Sequence, residues 1–147
     1  MQKIPIEEAI ERIIKNDPRY PRDAYYFVRE SLDFTIKHAA KSTRGGERHV
    51  SGKDILEGLR LYALQQYGPM AYTVLNYWNL RQCNDVGDIV YNMVAMNILK
   101  TAEKDSRDDF RGGYDFEEAF QKPFEAALKR SRHPSSRSAK MGTTTSP

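Results

Sequence analysis

The stretch from Gly68 to Phe120 most restricts what this chain can become. Gly68-Pro69 closes one helix and opens another, because glycine suits a left-handed cap and proline is tolerated at the first helical position. The helix it opens, Pro69 to about Leu80, is apolar nearly all round and is expected at the centre of a core. Arg81-Gln82-Cys83-Asn84 is a short connection, and Asp85 is a good N-cap. Val86, Ile89, Val90, Met93, Val94 and Leu99 then follow at helical spacing. Lys100 to Phe116 reads as a β-hairpin with the tip Asp105-Ser106-Arg107-Asp108-Asp109, and Gly112-Gly113 lets its second arm turn.

Two helices on a tight turn, followed by a hairpin, outline a winged helix with Asp85–Leu99 in the place of the recognition helix. Contacts to phosphate need Lys or Arg, and that helix has neither. Its outward face is expected to carry Asp85, Asp88, Asn92 and Asn97, and the hairpin is acidic. An acidic face repels a duplex, so the arrangement is expected to serve packing or protein contact.

The rest of the chain is read from its breaks. Ile6, Ile10, Ile13 and Ile14 form one helical stripe, which Asp17-Pro18 ends. Tyr25, Val28, Leu32, Ile36 and Ala39 form the stripe of a second helix from about Arg22 to Ala40. Gly45-Gly46, set among polar residues, marks a loop. Ser51 and Asp54 then form a variant capping box before a third helix along Ile55, Leu59 and Tyr62. A last short helix is expected from Glu117 to about Lys129. The expected fold is therefore mainly α, with five to six helices and one small β-hairpin. Residues 1–121 form a single globular helical domain, whose part 68–120 is winged-helix-like. Residues 131–147, without periodicity, are expected to be a disordered basic tail.

At 147 residues such a domain buries enough surface to need no staples. One cysteine excludes an internal disulfide framework. No apolar run is long enough to span a bilayer and no secretory apolar region opens the chain, so a cytoplasmic protein without membrane contact is expected. The formal charge of +3 is uneven. From Lys122 onward there are six basic residues and one acid, which leaves 17 basic and 19 acidic residues before it. The domain is thus slightly acidic, and the basic isoelectric point belongs to the tail.

Chemistry-bearing groups are sparse. His38, His49 and Cys83 lack the spacing of a metal site or a nucleophile motif, and the three carboxylates of the Asp105–Asp109 tip do not follow a calcium-loop pattern. No catalytic residue, cofactor or metal is expected, and the protein is not expected to be an enzyme. Aromatic residues are numerous. Tyr25, Tyr26 and Phe27 are consecutive and cannot all face inward. With the nearby arginines they suggest a partner-binding surface of Arg19, Tyr20, Arg22, Tyr26 and Arg29, for which another protein is the expected partner. The alternative is an RNA- or ribosome-associated protein that binds nucleic acid through Lys41, Arg44, Arg48 and Lys53 with Arg130 and Arg132 of the tail. Oligomeric state is open.

Asn16-Asp17-Pro18-Arg19-Tyr20, Ala24-Tyr25-Tyr26-Phe27-Val28, Arg48-His49-Val50-Ser51-Gly52, Tyr67-Gly68-Pro69-Met70-Ala71 and Gly112-Gly113-Tyr114-Asp115-Phe116-Glu117-Glu118-Ala119-Phe120 occur in this order. Together they resemble a family of short hypothetical proteins largely confined to bacteria of the Planctomycetes–Verrucomicrobia group, over about residues 4–120. The resemblance implies a bacterial cytoplasmic protein and supplies no activity or catalytic residues.

Overall fold

The structure is a computed structural model that describes residues 4–42, 50–100 and 105–125, without the side chains of 39–42. Among the described residues six α-helices with described bounds and two 3-10 turns follow one another. The expected basic tail, residues 131–147, lies outside the described residues, as do 43–49 and 101–104. Among the described residues no helix is long and apolar enough to cross a membrane.

Helix α1 (Ile6–Asn16) buries Ala9, Ile10 and Ile13 on one stripe. The Asp17-Pro18 break returns the chain into α2 (Arg22–Ser42), which packs along α3 (Gly52–Tyr67). The α2–α3 approach is close because Gly58 has no side chain: a Cβ there would lie 1.7 Å from Thr35 Oγ1. Thr35 itself is kept low on its helix, its hydroxyl donating to the Ser31 carbonyl at 2.7 Å. The start of α3 is the expected capping box. Ser51 Oγ accepts from the Asp54 amide at 3.1 Å, and Asp54 Oδ2 accepts from the Ser51 amide at 3.0 Å.

A 3-10 turn (Gly68–Met70) leads into the short helix α4 (Ala71–Tyr77), and here the expectation of a central helix is corrected. Ala71 and Leu75 are buried, but Met70 is 56% and Tyr77 85% exposed. Seven residues after a sharp Gly-Pro turn make only two turns of helix, and only one stripe of them reaches α3. The core instead centres on α2, α3 and α5 (Cys83–Ala95), with Tyr25, Val28, Leu59, Leu80, Ile89 and Met93 fully buried. Phe27 joins Tyr62, Tyr67 and Trp78 at centroid distances of 5.4–5.8 Å.

Helix α5 has its N-cap at Gln82, three residues earlier than expected, so Asp85 lies inside the first turn rather than at the N-cap. Its Oδ2 accepts from the amides of Arg81 (2.9 Å) and Gln82 (3.1 Å), outside the helix start. A carboxylate there also suits the positive end of the helix dipole.

The expected hairpin over 100–116 is not found among the described residues, which leave out 101–104. Among the described residues there is no strand, and the tip is a 3-10 turn (Arg107–Phe110). Side chains explain this. Ser106 Oγ accepts from the Asp108 amide at 3.0 Å, and Asp109 Oδ2 accepts from the Ser106 amide at 3.2 Å. Such local bonds compete with a strand ladder. Phe110 is then driven into the core against Gly87, where a Cβ would lie 2.9 Å from its ring. Without a wing, the winged-helix arrangement of 68–120 has no support. Helix α6 (Phe116–Phe120) stacks its two phenylalanines edge to face at 5.0 Å; residues 122–125 are helical again, and the rest of the helix expected to reach Lys129 lies outside the described residues.

Candidate functional site

The turn between α1 and α2 meets the polar face of α5 in a seam of paired groups. Tyr20 is 1% exposed. Its hydroxyl lies 2.9 Å from Asp85 Oδ1 and 3.0 Å from Asp88 Oδ2, so two carboxylates share one proton donor. Burial, then these carboxylates, push the phenol well above the ordinary tyrosine range. Arg19 donates from Nε and Nη2 to both oxygens of Asp17 (2.8 and 2.7 Å) and from Nη1 to Asp88 at 3.0 Å. Its guanidinium also lies 5.2 Å from the Tyr20 ring centroid. The Arg19 bond holds the Asp17 carboxyl far below the usual carboxylate range. Desolvation opposes this, and a bond from Asn92 Nδ2 at 3.0 Å reinforces it.

Asn92 also donates to the Tyr25 hydroxyl at 3.0 Å. Asp88 Oδ1 accepts from Arg107 Nη1 at 3.0 Å, and Arg107 sits 5.3 Å from the Tyr91 ring centroid. The seam therefore ties the α1–α2 turn, α5 and the 107–110 turn together. Asp85, Asp88 and Asn92, expected to face outward, are half-buried and face their partners. Nothing in the sequence spacing places Asp17-Pro18-Arg19-Tyr20 against α5, whose bonded residues lie 65 or more positions away.

This arrangement divides the expected partner surface. Tyr20 is core. Arg19 is held by Asp17 and Asp88, and Arg22 is paired with Glu11. Tyr26 is half-buried against the core. Arg29 is exposed and belongs to a different place, the rim of a cleft between α2 and α5.

That cleft has a volume of about 330 Å³. Leu32 and Ile36 of α2 form one wall, and Val90 and Val94 of α5 the other. Ile55, Phe110, Val50, Ile98 and Leu99 add further apolar lining. Arg29, Asp33, Lys100, Asp105 and Asp109 complete it as the charged groups. Gly52 at the start of α3 allows the 107–110 turn to come close, since a Cβ there would lie 2.6 Å from Asp109 Cβ. Sequence reasoning missed the cleft because its residues read as ordinary buried stripes. The available signal was that Leu32–Ile36 and Val90–Val94 extend their stripes toward loop-bordering apolar residues, Val50 and Ile98-Leu99.

The remaining candidates are quieter. Cys83 is buried: the Tyr114 amide donates to its Sγ at 3.3 Å and its thiol reaches the Tyr114 carbonyl at 3.4 Å. Burial pushes the thiol pKa up, which disfavours the nucleophilic thiolate. His38 stacks on Phe34 at 4.2 Å, and its Nδ1 lies 3.3 Å from the Phe34 carbonyl. Among the described residues no group of three His, Cys, Asp or Glu comes together to hold a metal. Of the alternative nucleic-acid residues, Lys53 is exposed in the first turn of α3. The side chain of Lys41 and the whole of Arg44, Arg48, Arg130 and Arg132 lie outside the described residues. Comparison with protein-family models, curated proteins and solved structures finds no match to this chain.

Proposed function

We propose that this protein is a non-catalytic interaction module that receives apolar side chains of a partner protein in the cleft between α2 and α5. One observation carries the reading: the cleft is concave and walled by aliphatic side chains, with its charges gathered in a few side chains beside them. Ligand sites generally combine apolar walls with a small number of orienting polar groups. The seam supports it indirectly. Arg19, Tyr20 and Arg22 already have partners within the chain, so a contact surface built on them would have to break existing bonds. The expected surface thus shifts to its last member, Arg29, and continues into the cleft. A DNA reader of winged-helix type is not proposed, because the polar face of α5 is committed to the seam.

The test is affinity purification of the tagged chain from its native host, with Val94→Arg as a variant that fills the cleft. Partners retained by the parent protein and lost by the variant support the reading. An identical partner set from both proteins sinks it. Partners that disappear on nuclease treatment turn the assignment to the RNA- or ribosome-associated alternative.

A further inference from the structure

We draw no further inference here: the strongest candidate, the apolar cleft between α2 and α5, belongs to the site already described, and the charges around it are of both signs and do not show which segment covers it.

Discussion

The seam and the cleft use different faces of the same helix, α5: one is built of paired polar groups, the other of aliphatic walls. In the seam every prominent group has a partner: Asp17 with Arg19 and Asn92, Asp88 with Arg19, Tyr20 and Arg107, Asp85 with Tyr20 and two backbone amides. In the cleft, aliphatic walls stand open and Arg29 and Asp33 make no pair with each other. A cluster of arginine and tyrosine looks alike in sequence whether it binds a partner or its own chain. Here it binds its own chain, and the cleft is composed of residues that look like core.

The sharpest way to break this comparison is at Tyr20. Removing its ring (Tyr20→Ala) should cost about 3–5 kcal/mol of stability, as for a fully buried aromatic, with a correspondingly large fall in the denaturation midpoint. If unfolding in urea shows a loss of well under that, the ring is not the buried anchor described. Tyr20→Phe keeps the packing and removes only the shared donor of Asp85 and Asp88. It should cost about 1–2 kcal/mol, the range for leaving partly buried acceptors unmet.

Arg19→Ala comes next, at about 1 kcal/mol, discounted because the side chain is half in solvent. Its pH dependence is more telling. Asp17 has a folded pKa depressed below its unfolded value of about 4. Its contribution is therefore present above about pH 4 and is lost as pH falls toward the depressed folded value. Arg19→Ala should flatten this acid limb in stability measured between about pH 5 and pH 2, while a variant that keeps the full acid slope argues against the pair.

On the other side of α5, Val94→Arg should cost less than about 1 kcal/mol, because Val94 is only half-buried and a long side chain can extend toward solvent. It should nevertheless remove partner binding. A large stability loss there would mean that the cleft is part of the core. The smallest effect is expected from Arg22→Ala. Its pair with Glu11 is exposed, so the denaturation midpoint and partner binding should both stay where they are.

Much of the fold was legible. The breaks at Asp17-Pro18 and Gly68-Pro69, the Ser51 capping box and the apolar stripes located the first three helices and the start of the fourth segment, because caps and periodicity are local physics. The hairpin was misread because Gly112-Gly113 and the acidic tip are turn signals that do not distinguish a strand pair from a 3-10 turn. Ser106, Asp109 and the burial of Phe110 against Gly87 decide between them. Helix α4 was misread for a related reason: an apolar helix reads as central only if it is long enough to be covered all round, and this one has seven residues. The candidate site was legible only at Arg29. Tyr20, read as surface, is core. Asp33 and Val94 carried no signal that would separate a cleft wall from a buried face.

The sequence by itself determined where the first three helices start and stop, that the chain is mainly helical, and that the domain is acidic apart from its C-terminal residues. Each of these depends on neighbours within a few positions or on composition. Tertiary structure alone decided which charges are spent inside the fold and which face of α5 stays open. Those outcomes depend on contacts between residues more than sixty positions apart, and no local spacing encodes which arginine meets which aspartate.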